Sequence, residues 1–267
     1  MKIIKFENEA SDVLYGTNCH DGTAEILIGG LLTGFHPSGK RTNIKKILAP
    51  VSPAAILGVG LNYHEHAKEI GMEPPMFPIL FIKNLSTITN PNDPIIVPAM
   101  CSNPPEVDYE AELAVIIGKT AKNVSEEEAL SHVFGYTAAN DVTARRWQGK
   151  KGAGQWCLAK SFDTFCPLGP VMVTADEISD PQKLNISCIH RGEVVQKANT
   201  SDMIFSVSKL ISFFSSAMTI FPGTVILTGT PSGVGFSSKP PRYLEHGDSV
   251  SVIIESIGEL TNPVINE

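Results

Sequence analysis

The sequence predicts a β-dominated α+β protein, and three observations carry that reading. Short apolar runs closed by proline or glycine recur along the chain, several alternate apolar and polar residues at period two, and few segments have helical spacing. The first 45 residues read as short strands with turn signals at Asn18, Asp21-Gly22, Gly29-Gly30 and Pro37-Ser38-Gly39. Residues 1–50 are accordingly expected to form a small N-terminal β domain. No repeat, low-complexity tract or linker divides the remainder, so residues 51–267 are expected to form one mixed domain.

In that second part, ILGVGLNY reads as a buried strand running into a loop, and HEHAKEIG as a helix closed by Gly71. PILFIKN and PIIVP are further strand-like runs, and VDYEAELAVIIG alternates cleanly enough to be one long strand. Ser125 and Glu128 stand at capping-box spacing at the start of a helix. FGYTAANDVTA reads as a strand ending in a polar loop, and residues 167–173 as another strand. NISCIHRGEVVQKANT predicts a hairpin turning at Arg191-Gly192. A helix is expected through MIFSVSKLISFFSSAM, and TVILTGTPSGVG and DSVSVIIESIG complete a strand-rich second half.

A chain of 267 residues can bury a real core, and 42% hydrophobic with 18% charged residues is an ordinary globular balance. The net charge of -7 excludes a nucleic-acid partner, because a phosphate backbone requires a concentrated basic face. Five cysteines with no CxxC pair signal neither a disulfide framework nor a zinc knuckle. No stretch is long and apolar enough to span a bilayer, and the N-terminus resembles neither a secretory signal nor an Arg-rich transit peptide. A cytoplasmic protein is expected, with a mitochondrial one as the alternative if a leader has been removed.

Glu110 and Glu112 are two apart in a strand and therefore project from one face, the face that also carries Ala114 and Ile116. Ionised neighbours on a buried face need a cation, or one of them takes up a proton. The alternative is an exposed edge with solvated acids. Asp141, at the end of another apolar strand, completes a three-carboxylate set, and all-oxygen ligands select Mg²⁺ or Mn²⁺ over zinc or copper. His66 and Glu69 share a helix face and form a candidate general-base dyad, against the bland reading of a solvated helix face. Lys160, set among apolar neighbours, is a candidate for stabilising a developing enolate, although a surface lysine is the commoner case. The glycines of LTGTPSGVG lack the lysine of a P-loop, so the segment is read as a tight turn that brings Thr230 and backbone amides toward a ligand carboxylate.

Taken together, GVGLNYHEHAKE, DYEAELAVIIG, YTAANDVTAR, LAKSFDTFCPLGP, MIFS, LTGTPSGVG and HGDSVSVIIESIG resemble the fumarylacetoacetate hydrolase family, in order and spacing, across residues 55–260. The resemblance implies a mixed β-roll core, a small N-terminal domain and a homodimer. It also implies Mg²⁺ or Mn²⁺ on Glu110, Glu112 and Asp141, and a catalytic set of His66, Glu69 and Lys160. Arg145, Gln148 and Thr230 are the implied substrate-binding residues. Arg146 stands where the family commonly has an acid, and the GKKGAGQ stretch is its own; both bear on substrate choice. The implied activity is on a small 2-oxo acid through a metal-bound enolate, with C–C hydrolysis of an acylpyruvate as the main expectation. Oxaloacetate keto–enol tautomerisation and oxaloacetate decarboxylation are the alternatives. A catalytically silent homologue would be marked by loss of a ligand, the dyad or the lysine, and none is lost.

Overall fold

The computed structural model describes residues 1–267, and its class is the expected strand-dominated α+β one. Residues 2–43 form an antiparallel meander of Lys2–Glu7, Val13–His20, Thr23–Gly30 and Gly34–Asn43. Its first strand pairs antiparallel with Cys166–Thr174, aligning Lys2 with Val173 and Ile3 with Met172, so the meander continues edge to edge into the main sheet. That sheet runs on through Val133–Asn140, Ala111–Ile117, Val225–Leu227, Ile56–Gly60 and Ile79–Lys83. A second sheet takes the order Glu193–Asn199, Asn185–His190, Ser249–Ile254, Gly258–Asn266 and Ile95–Val97.

Several elements depart from their expected form, and Asn18 does not turn the chain but lies inside Val13–His20. Pro37-Ser38-Gly39 does not turn the chain: it lies inside Gly34–Asn43, where the register against the neighbouring strand shifts between Glu25 and Leu27. Such an irregularity absorbs a proline that regular pairing would reject. The run 107–118 is not one strand either. It divides into Val107–Asp108, paired with Thr143–Ala144, and Ala111–Ile117. Between them the Glu110 amide donates to the Asn140 side-chain oxygen at 3.0 Å, a side-chain partner where a ladder bond would otherwise stand.

The helices follow their capping signals, and the one expected from Met203 begins four residues later. His64–Glu69 ends before Gly71, which has φ +68°, and the Ser125 hydroxyl accepts from the Glu128 amide at 3.3 Å. Ser206 caps Val207–Ala217, whose Val207, Leu210, Ile211 and Phe214 enter the larger core. The central strand Ala111–Ile117 is buried on both faces: Leu113, Val115 and Ile117 pack into this larger core, Ala114 and Ile116 into a smaller one with Ile3, Leu168 and Met172. A strand buried on both sides gives its polar residues no route to water. Whatever charge it carries must be matched inside the protein.

Candidate active site

Strand register assembles the acids. Glu112 pairs with Ala139 and Ala111 with Asn140 in antiparallel order, and the Asp141 amide donates to the Glu110 carbonyl at 2.8 Å, which brings Asp141 beside Glu110. Carboxylate oxygens of Glu110, Glu112 and Asp141 lie within 4.8 Å of one another, all three residues being buried. The exposed-edge alternative for the Glu110 and Glu112 pair is thereby excluded.

Cations answer most of this charge. The Lys160 ammonium donates to Glu110 Oε2 at 2.8 Å, Asp141 Oδ2 at 2.5 Å and Thr143 Oγ1 at 2.8 Å, which uses all of its protons. Lys83, also fully buried, donates to Asp141 Oδ1 at 2.6 Å. Arg145 contacts Glu110 Oε1 at 2.7 Å, Asp108 Oδ2 at 2.8 Å and Gln148 Oε1 at 2.9 Å. Asp108 also accepts from the amides of Gly235 and Phe236, and the Phe236 ring lies 4.5 Å from the guanidinium carbon. Asp108 thus ties Arg145 to the turn that follows Thr230.

Three cations therefore stand against four buried carboxylates, Asp108, Glu110, Glu112 and Asp141, and Glu112 is the one without a basic partner. Its Oε2 accepts from the Gly229 amide at 2.7 Å, while its Oε1 is buried with no partner at all. Gly229 has φ +95°, and a Cβ there would meet the Asn62 Cβ at 2.7 Å, so only glycine presents that amide without strain. Burial, followed by repulsion from Asp141 and Glu110, pushes the Glu112 carboxyl well above its ordinary range. Burial acts on Glu110 in the same sense, but Lys160 and Arg145 overcome it and hold that carboxyl down at about 2. An orphaned oxygen on a carboxylate left short of one positive charge, with two more carboxylates alongside, fits a hard divalent cation. Glu110, Glu112 and Asp141 are the residues that would hold it.

Six of the nine residues singled out from the sequence line one cavity of about 450 Å³: His66, Glu110, Arg145, Gln148, Lys160 and Thr230. Glu112 and Asp141 lie buried behind Glu110, and Glu69 lies behind His66. His66 Nδ1 meets Glu69 Oε2 at 2.9 Å, and Glu69 Oε1 accepts from the Gly233 amide at 2.9 Å and the Ser237 hydroxyl at 2.7 Å. Burial acts to raise the Glu69 carboxyl, but these bonds together bring it below its ordinary value. An ionised carboxylate can only accept, which puts the Nδ1 proton on His66 and the imidazole lone pair on Nε2. Apolar side chains including Ile70, Ile79, Phe81 and Trp156 form the rest of the wall.

Arg146 does not join the cavity: it pairs with Glu106 at 3.0 Å and donates to the Met100 carbonyl. Sequence reasoning missed Lys83 and Asp108, although alternation offered a signal for both. Lys83 shares the inward face with Phe81, and Asp108 precedes Glu110 by the same two residues that separate Glu110 from Glu112. Ser237 carried no such mark.

A β-rich fold that brings a buried triad of carboxylates and a histidine–carboxylate pair to one cavity defines an enzyme-like class of protein with an acid set suited to a hard cation. Comparison with known proteins makes that class specific. Residues 55–265 match the family described as Fumarylacetoacetate (FAA) hydrolase C-terminal, and the chain belongs to the fumarylacetoacetate hydrolase family. It is 50% identical over 226 residues, 84% of this chain and 70% of the relative, to "Oxaloacetate tautomerase fahd2, mitochondrial" of Xenopus laevis. It is 48% identical over 219 residues, 82% of this chain and 69% of the relative, to "Oxaloacetate tautomerase FAHD2A, mitochondrial" of Homo sapiens. Among solved structures, the fumarylacetoacetate hydrolase of Exiguobacterium antarcticum superposes with a TM-score of 0.88 at 37% identity, covering 100% of both chains. The 5-carboxymethyl-2-hydroxymuconate delta-isomerase of Mycobacterium smegmatis gives 0.86 at 35%, again with 100% of both chains covered.

Proposed function

We propose that this chain is a divalent-cation-dependent oxaloacetate keto–enol tautomerase. The observation that carries the reading is Arg145: it lines the cavity with His66 and Lys160, and its Nη2 is buried without a partner. A guanidinium nitrogen left unsatisfied next to an acid triad suits a substrate with two carboxylates, one at each end. An acylpyruvate with an apolar acyl group would leave that nitrogen unanswered. The names of the frog and human relatives favour tautomerisation over C–C hydrolysis in the same way.

A cation on Glu110, Glu112 and Asp141 would supply Lewis acidity to the 2-oxo acid unit, easing loss of a C3 proton. His66 carries the proton. Its Nε2 lone pair accepts from one of O2 and C3 and returns the proton to the other, while Glu69 steadies the imidazolium that forms between the two events. Lys160 keeps Glu110 and Asp141 in place, and its charge is secured because their carboxylates raise its pKa against the lowering effect of burial. Arg145 and Gln148 hold the far carboxylate, so that C3 stays within reach of His66. The apolar wall restricts water and with it the competing hydrolytic cleavage of a C–C bond. The assembly we propose is a homodimer, to be checked by light scattering, and the relatives' names favour the mitochondrion over the cytoplasm as its compartment.

The test is to strip the protein of metal, add Mg²⁺ or Mn²⁺, and present oxaloacetate enol and a set of acylpyruvates. Cation-dependent loss of enol absorbance without pyruvate release supports the tautomerase. Pyruvate from acylpyruvates at a higher kcat/KM restores the hydrolase reading.

A further inference from the structure

Gln196 lies on the second sheet, is 1% exposed, and reaches across to the turn that carries Thr230. Its Oε1 accepts from the Ala111 amide at 2.9 Å, and its Nε2 donates to the Pro231 carbonyl at 2.9 Å and lies 2.8 Å from Thr230 Oγ1. The first two contacts fix the amide's orientation. A backbone N–H can only donate and a carbonyl can only accept, so flipping the Gln196 amide would break both. The second Nε2 proton then has one destination, Thr230 Oγ1, and Thr230 is the acceptor in that bond. Its own hydroxyl proton has no protein acceptor, although the residue is 5% exposed and lines the cavity. A buried hydroxyl with an unspent proton at a cavity wall calls for an acceptor from the ligand.

We infer that Gln196 is a positioning residue that sets the polarity of Thr230, so that the cavity presents a hydrogen-bond donor there and selects ligands with a carboxylate or keto oxygen at that point. The inference rests on the reading of the cavity as a 2-oxo acid site, and it deepens that reading. Gln196 touches no substrate and acts through Thr230. The same side chain holds the Ala111 amide, which lies between Glu110 and Glu112. One buried amide thus couples the acid triad to the recognition turn.

The experiment compares Gln196→Glu, Thr230→Val, Thr230→Ser and the Gln196→Glu/Thr230→Val double variant. Glutamate keeps an acceptor for Ala111 but offers Thr230 only acceptors, which reverses the bond and turns the hydroxyl proton away from the cavity. Thr230→Val and Gln196→Glu should each raise KM for oxaloacetate roughly tenfold or more, the scale of a hydrogen bond to a charged group, with kcat within about twofold. Thr230→Ser should retain the wild-type KM. Binding of oxalate, which offers acceptors only, should weaken in parallel when followed by calorimetry on the Mg²⁺-loaded proteins. In the double variant Gln196→Glu should add less than about twofold to Thr230→Val, because its route through the hydroxyl is already gone. An unchanged KM in Thr230→Val, or the full Gln196→Glu penalty in the Thr230→Val background, overturns the inference while the wild-type activity upholds the cavity reading. A wild-type protein that neither turns over oxaloacetate nor binds oxalate overturns the cavity reading itself, and the inference with it.

Discussion

The acid triad and the His66–Glu69 pair share one cavity but are built in opposite ways. Glu112 and Asp141 are held in and beside a strand buried on both faces, with Lys83, Lys160 and Arg145 matched to the surrounding charge. The dyad sits on a helix of six residues, and the Glu69 side chain is 22% exposed and docked by two bonds to the turn around Gly233 and Ser237. Charge that must stay in place is put where the protein cannot relax. The His66–Glu69 pair is put on a small element held by a few polar contacts.

If that division is right, damage to the two regions should look different. The largest effect is expected from Asp141→Ala, which leaves Lys83 buried without its carboxylate. Thermal and denaturant unfolding should show a loss of about 3–5 kcal/mol, together with abolished cation binding by calorimetry. Glu112→Gln should also abolish cation binding, yet the metal-free protein should keep or gain stability, because Glu112 is the carboxylate without a basic partner.

The pH dependence follows from the same residue. A carboxyl raised by folding contributes most below its unfolded value of about 4.3, and that contribution is lost as pH climbs toward the raised value. Metal-free wild type should therefore lose stability steadily as pH rises above about 4.3 toward the raised value. Glu112→Gln or added divalent cation should flatten the slope, and an unchanged slope in the variant would assign it to another group.

On the other side of the comparison, His66→Ala should lower kcat by roughly 10²–10⁴-fold while cation affinity and melting temperature stay at wild-type values. A matching loss of stability would place the helix with the rigid region. The smallest effect is expected from Ser237→Ala, which removes one of two bonds to Glu69 Oε1. A fall in kcat of about 2- to 10-fold with little change in KM would mark the contact as one that orients the dyad.

Much of this was legible before the structure. Two-residue spacing marked Glu110 and Glu112 as neighbours, and their carboxylates do meet although Glu110 lies just outside the strand Ala111–Ile117, while i,i+3 spacing placed His66 over Glu69. Both are local consequences of backbone geometry, with periods of two and 3.6 residues. The same alternation carried Lys83 and Asp108, but a lysine or aspartate in a short run looks like a solvated one until its burial is known. The division of residues 107–118 was hidden because its cause, the Asn140 side chain, is 30 residues away.

The sequence by itself thus determined the class of fold, the all-oxygen character of the acid set and the pairing of His66 with Glu69, since residue type and short-range periodicity decide all three. Only the tertiary structure decided which charges meet. Strand register brought Asp141 to Glu110, a buried lysine from each of two distant segments matched their charge, and Glu112 was left short of a cation. Across the two sheets, one glutamine decided which way a threonine hydroxyl can donate. Pairings of that kind are set by the packing of the whole chain, because a buried polar group takes its partner from whatever the fold places within about 3 Å of it.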